Sequence, residues 1–221
     1  MTTDLLARFP HIAIEGPIGV GKSTLARRLA AQLGAELLLE RADENPFLAR
    51  FYADERGYAF QAQLFFLFQR VRQMQQLAQP GMFARGIVSD FMFAKDALFA
   101  RMNLDDEEFR LYSQIHAQAA HELARPDLVV WLQARPATLI QRIARRGIAM
   151  EQHITPDYLQ RLCDAYAEHF RREAPKALFV VVTDHFNPVE READFERLLG
   201  CLDRFQGGVE VLDPSPGATL A

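Results

Sequence analysis

The chain has 221 residues, with 25 Lys and Arg against 29 Asp and Glu and a formal net charge of -4. This acidic balance argues against a nucleic-acid polymer or an anionic membrane surface as the main partner, and the length suits one α/β domain with a sizeable core. The two cysteines, Cys163 and Cys201, have neither metal-ligand nor redox-motif spacing. No segment approaches a membrane-spanning apolar run, and the first residues do not read as a signal peptide, so a soluble protein of the reducing cytoplasm is expected.

In chain order, the first apolar run, His11–Glu15, predicts a strand. It leads into Gly16-Pro-Ile-Gly-Val-Gly-Lys-Ser-Thr24, and the helical pattern Leu25–Leu33 follows. This is the G-x-x-x-x-G-K-S pattern of a phosphate-binding P-loop in its strand-loop-helix setting. Gly16, Gly19 and Gly21 let successive backbone N–H groups converge on phosphate oxygens, and the following helix presents its positive end to the same anion. Lys22 is expected to reach the β- and γ-phosphates, Ser23 to ligate Mg²⁺, and Thr24 to complete the ATP-binding loop.

A second strand, Glu36–Leu39, runs into the acidic loop Glu40-Arg-Ala-Asp-Glu-Asn-Pro46. Ala59–Leu77 predicts one long helix rich in Phe and Gln. On it, Gln63 and Arg70 lie two turns apart on one face, with Phe66 and Leu67 on the turn between. A polar pair separated by apolar side chains suits a flat heterocycle. The third strand, Gly86–Asp90, ends in an acid from which P-loop proteins often reach the Mg²⁺ shell. Asp105–Leu123 predicts a helix with acids in its first turn, and Asp127–Leu132 a fourth strand. Arg142, Arg145 and Arg146 then share one helix face, as a mobile lid over phosphates would need. Thr155 caps one further helix, and Asn187 with Glu190 predicts a capping box for another. A fifth strand, Leu178–Val182, lies between them. The expected fold is α/β, a P-loop kinase arrangement with a five-stranded parallel sheet flanked by helices. It forms one domain over residues 1–207, with a lid near 142–151 and a tail over 208–221. In such sheets ligands gather at the carboxyl ends of the strands.

The chain resembles the deoxynucleoside kinases, especially the bacterial deoxyadenosine/deoxyguanosine kinases. The resemblance rests on Ile14–Thr24, Glu44-Asn-Pro-Phe47, Tyr58-Ala-Phe-Gln-Ala-Gln63, Ser89-Asp-Phe with Phe93-Ala-Lys-Asp96, and Arg142-Ile-Ala-Arg-Arg-Gly147. It implies an acid after the second strand that deprotonates the sugar 5′-hydroxyl. Glu44 is the matching candidate, with Glu40 and Asp43 as alternatives on the same loop. It further implies that Gln63 pairs with the base, with Gln61 as the alternative on the same helix, that Arg70 and Asp96 face it, and that Tyr52 and Glu151 hold the 3′-hydroxyl. Arg142 and Arg146 become the lid arginines, Asp90 with Ser23 the Mg²⁺ site, and a homodimer the expected assembly. Two positions depart from the family pattern. Phe91 stands where many members have an arginine, with Lys95 the nearby cation, and Ile148 stands in place of a lid arginine.

The expected reaction is ATP- and Mg²⁺-dependent phosphorylation of a deoxynucleoside 5′-hydroxyl in nucleotide salvage. Deoxyadenosine or deoxyguanosine should serve best, deoxycytidine should be tolerated, and thymidine should serve poorly. The alternatives are a nucleoside-monophosphate kinase of the thymidylate kinase type and a non-catalytic ATP-binding regulator. The Asn-Lys-x-Asp motif of a guanine-reading switch does not occur.

Overall fold

A computed structural model describes residues 5–53, 57–77, 86–120 and 125–214. Its sheet holds six strands, β1 (His11–Glu15), β2 (Glu36–Leu38), β3 (Ile87–Ser89), β4 (Leu128–Gln133), β5 (Ala177–Val182) and β6 (Gly208–Leu212). They run in the order β2-β3-β1-β4-β5-β6, all parallel. The helices are α1 (Leu5–Arg8), α2 (Lys22–Leu33), α3 (Leu48–Ala53), α4 (Ala59–Leu77), α5 (Lys95–Asn103), α6 (Asp106–Ala120), α7 (Pro136–Arg146), α8 (Pro156–Arg172) and α9 (Glu192–Arg204), with 3-10 turns at Ala42–Glu44 and Ala149–His153.

The central strands are apolar because helices cover both faces of a parallel sheet. All five residues of β1 are buried, as are the first five of β4 and of β5. Each fully buried Ile, Leu or Val here contributes about 1.5–3 kcal/mol relative to exposure. The chain leaves β1 between β3 on one side and β4 on the other. Consecutive connections therefore depart in opposite directions, and a crevice opens at the carboxyl end of β1.

The five strands expected from the apolar runs are present, and β6 is a correction. It lies in the segment read as tail, and of its five residues only Leu212 is buried. Val209 and Val211 alternate with Glu210 as a strand's residues do, but both valines are exposed, and the pairing rests on backbone bonds along β5, beginning with Gly208 N donating to Lys176 O at 2.9 Å. Residues 215–221 of the expected tail lie outside the described residues, as do 121–123 of the helix expected to reach Leu123.

Capping holds at one expected site and not at the other. Thr155 Oγ1 accepts from Tyr158 N at 3.1 Å and opens α8. Asn187 Oδ1 accepts from Glu190 N at 3.1 Å, but this closes a single turn, and α9 begins only at Glu192. Asp194 accounts for the difference, because its carboxylate accepts from Asn187 N at 2.8 Å and holds the turn against the start of α9.

Candidate active site

The P-loop leaves the end of β1 with φ near 142° at Gly16, 84° at Gly19 and 105° at Gly21. A Cβ on Gly16 would lie 2.3 Å from the Leu132 carbonyl oxygen, so the loop follows its path only with glycine there. Gly21 caps α2, and Lys22 is that helix's first residue. Its ammonium donates to Gly16 O at 2.8 Å and Pro17 O at 3.1 Å. Burial, then the charge of Lys95, lowers its pKa to about 8, while Glu15, Glu40 and Asp90 pull the other way.

Glu15, which the motif reading passes over, anchors this loop. It is fully buried and accepts from Met92 N at 2.7 Å, the Tyr166 hydroxyl at 2.8 Å and Gly16 N at 3.2 Å. One carboxylate thus joins β1, the segment after β3, and α8. The sequence signal was an acid closing an otherwise apolar strand, which a buried carboxylate fits only with several donors.

Ser23 Oγ donates to Asp90 Oδ2, and Asp90 Oδ1 accepts from Glu40 N at 2.7 Å. A hydroxyl and a carboxylate in contact at the mouth of a P-loop form a hard-oxygen donor pair. Mg²⁺ is commonly held by one or two such protein groups together with substrate phosphates, so these residues fit it. Among the described residues no cluster of three or more His, Cys, Asp or Glu side chains could hold a metal alone.

Beside this pair runs a chain of buried charges. Asp96 pairs with Arg70, Arg70 with Glu40, and Glu40 with the Lys95 ammonium at 2.9 Å. Arg70, Asp96 and Lys95 are each at most 4% exposed. The Arg70 guanidinium also lies 5.2 Å from the Phe66 ring centre and 5.6 Å from that of Phe91. Phe91, fully buried, therefore stacks on an arginine instead of supplying one. Although burial works against ionisation at Glu40, Lys95 and Arg70 hold its carboxyl down at about 2. Burial raises Asp96 to about 7 against the pull of Arg70. Asp96 Oδ2 and the buried Tyr112 hydroxyl have no hydrogen-bond partner among the described residues.

Glu44 lies elsewhere. It sits at the end of the exposed 3-10 turn after β2, paired with Arg41 at 3.1 Å and accepting from Gln69 Nε2 at 3.1 Å. It lines an outward-facing cleft with Phe65, Phe68 and Arg72. Of the loop's acids, Glu40 is the one turned towards Lys22, because Arg70 and Lys95 supply its buried counter-charges, whereas the only cation paired with Glu44 among the described residues is the exposed Arg41.

The remaining expected residues divide into two groups. Gln63 is buried on α4, two turns before Arg70. Tyr52 on α3 is half-buried and within electrostatic reach of Glu151, Tyr158, Glu40 and Arg146, with its hydroxyl pKa raised well above 10, first by burial. Arg146 pairs with Glu151 in the 3-10 turn after α7. The three arginines of α7 fan apart. Arg142 donates to Thr183 O at 2.6 Å and Thr183 Oγ1 at 3.0 Å, while Arg145 pairs with Glu190. Together with Gly19, Gly21, Thr24 and Val189, these arginines line a cleft of about 240 Å³ over the P-loop.

The sequence matches the deoxynucleoside kinase family model over residues 12–205. Against a deoxyguanosine kinase of Bacillus subtilis it is 31% identical over 194 residues, covering 86% of this chain and 94% of the relative. Against a deoxyguanosine kinase of Lactobacillus acidophilus it is 34% identical over 203 residues, covering 85% and 87%. A solved structure of deoxyadenosine kinase from M. mycoides with bound dATP superposes with a TM-score of 0.73 at 26% identity, covering 87% of this chain and 98% of that one. The chain belongs to the deoxynucleoside kinase family, and its reaction is the phosphorylation of a deoxynucleoside.

Proposed function

We propose that the enzyme transfers the γ-phosphoryl group of ATP to the 5′-hydroxyl of a purine deoxynucleoside, deoxyadenosine or deoxyguanosine, with Glu40 as the general base. The observation that carries this reading is the position of Glu40. It is an ionised carboxylate beside the P-loop lysine, flanked by Arg70, whose other partner is an aspartate with one unpaired oxygen. The 5′-oxygen attacks the γ-phosphorus while its proton passes to Glu40, and the bond to the bridging oxygen of ADP breaks. Lys22 and the loop amides neutralise the phosphates. Ser23 and Asp90 would hold Mg²⁺, which supplies charge neutralisation between the phosphate groups.

Donor chemistry sets adenine, guanine and cytosine above thymine, and the choice of a purine over cytosine is supported by the deoxyguanosine kinases among the relatives. An ionised Asp96 only accepts hydrogen bonds, and its free Oδ2 suits the exocyclic amine of adenine or the ring N–H and amine of guanine. Thymine has no exocyclic amine, and its one ring N–H is flanked by two carbonyls that repel a carboxylate, so the acceptor goes poorly paired at a cost of about 1–3 kcal/mol. Gln63 reads the same edge, Tyr52 with Glu151 holds the sugar 3′-hydroxyl, and residues 142–151 form the lid, with Arg142 and Arg146 facing the phosphates. A monophosphate acceptor fits less well, because its dianion would meet the Glu40 carboxylate. The same reading includes a homodimer through α4 and α6, supported by Phe68 and Leu111, each 49% exposed, and a cytoplasmic setting, supported by two free cysteines.

Initial rates at pH 8, where Asp96 is largely ionised, with the four common deoxynucleosides, ATP and Mg²⁺ test the reading. Both purines should exceed thymidine in kcat/KM by tenfold or more, on the order of the unpaired-acceptor cost. Thymidine at or above both purines, or a monophosphate preferred to every nucleoside, would overturn it.

A further inference from the structure

Lys95 is in an unfavourable place for a lysine. It is the first residue of α5, where the helix dipole repels a cation, and it is only 4% exposed. It also lies within electrostatic reach of Lys22, a second buried cation. A buried ammonium in that position requires a partner, and the partner is Glu40 Oε2 at 2.9 Å, with the Phe99 ring centre 5.3 Å from the nitrogen. Glu40 Oε1 is held by Arg70.

We propose that Lys95 is a positioning residue for the phosphoryl transfer, dividing the Glu40 carboxylate between two cations so that it faces the P-loop and not Arg70 alone. The inference rests on the reading of Glu40 as the base. A lone guanidinium beside a carboxylate draws both oxygens into a two-pronged pair. Here Arg70 Nη1 is held by Asp96, so that geometry would draw the second Glu40 oxygen onto Arg70 Nε, which has no hydrogen-bond partner among the described residues, and away from Lys22. With Lys95 on Oε2, each oxygen spends one lone pair on a cation and keeps another, so a hydroxyl beside the P-loop meets an acceptor already aimed at it. Preorganisation of this kind enters kcat more than KM, since the hydroxyl proton moves only during reaction. The position of Phe91 is consistent with this division of labour. Its ring covers Arg70, and the second cation that serves Glu40 comes from Lys95, four residues further along the chain.

The test is a mutant cycle. Lys95→Met should lower kcat by about 10–10²-fold with KM for deoxyadenosine and ATP within about threefold, the pattern of a lost transition-state interaction. Lys95→Arg, which keeps the cation, should recover most of that loss. In the Glu40→Gln background, Lys95→Met should change kcat by less than about threefold, because no base remains to be aimed. Lys95→Gln serves as the neutral variant if methionine does not fold, with melting temperature as the control. Wild-type kcat in either neutral variant would overturn the proposal, as would an equal loss with and without Glu40 or no recovery by arginine. The reading of the base fails separately, and only if Glu40→Gln in the wild-type background keeps its kcat.

Discussion

Glu40 and Glu44 lie four residues apart on one loop, and exchanging each for glutamine distinguishes a base from a bystander. For Glu40 two costs can be worked out. Loss of general-base catalysis reduces kcat by about 10²–10⁴-fold, or about 3–5 kcal/mol of barrier. The second cost is stability. A carboxyl held at about 2 in the fold, against an ordinary 4.5, corresponds to about 3 kcal/mol favouring the ionised form. Because the folded pKa is depressed, this stabilisation is present above the unfolded value and is lost as pH falls through the folded one, so at pH 7 the glutamine forfeits it. That loss is the same interaction as the one Arg70 and Lys95 forfeit when their shared anion goes. For a chain of this size that is a fall in Tm of about 6–12 °C. Glu44 shares its pair with Arg41, and the two side chains are 47% and 65% exposed. That pair contributes at most about 1 kcal/mol, so Glu44→Gln should melt within about 4 °C of wild type and turn over normally. The assay is ADP release at saturating deoxyadenosine and Mg·ATP, with thermal melts at pH 7 and calorimetry to confirm nucleoside binding. If Glu40→Gln turned over within about threefold of wild type while Glu44→Gln lost a hundredfold, contrary to the two-order loss expected of a missing base, the assignment would be reversed.

Two further outcomes follow from the geometry. Gly16→Ala forces a side chain against Leu132 O at a φ of 142°, so ATP binding measured by calorimetry should be lost and Tm should fall. Binding at wild-type affinity would mean that the loop does not need this conformation. The second outcome concerns Asp96, whose carboxyl burial raises to about 7. Below that pH the neutral group can also donate to a carbonyl, and above it the group only accepts. The ratio of kcat/KM for deoxyadenosine over thymidine should therefore rise about tenfold between pH 6 and pH 8, following the ionised fraction. The dependence should vanish in Asp96→Asn, and a flat ratio in the wild type would remove Asp96 from base recognition.

The parts of this protein that the sequence determined by itself are those whose physics is local. The P-loop is legible because glycines, lysine and serine must stand at fixed spacing on one turn, and β1, β4 and β5 because both faces of each strand are buried and the middle of each is an unbroken apolar run. Thr155 reads as a cap because its partner is three residues away. The tertiary structure decided what depends on distant partners. A loop with acids at 40, 43 and 44 does not reveal which one turns inward. That choice was made by Arg70 and Lys95, thirty and fifty-five residues further along, whose burial is tolerable only beside a carboxylate. Glu15 became an anchor through Met92 and Tyr166 on two other segments. Likewise β6, with one buried side chain, is placed by the backbone donors and acceptors at the edge of β5, because the alternation of Val209 and Val211 allows a strand without naming its partner.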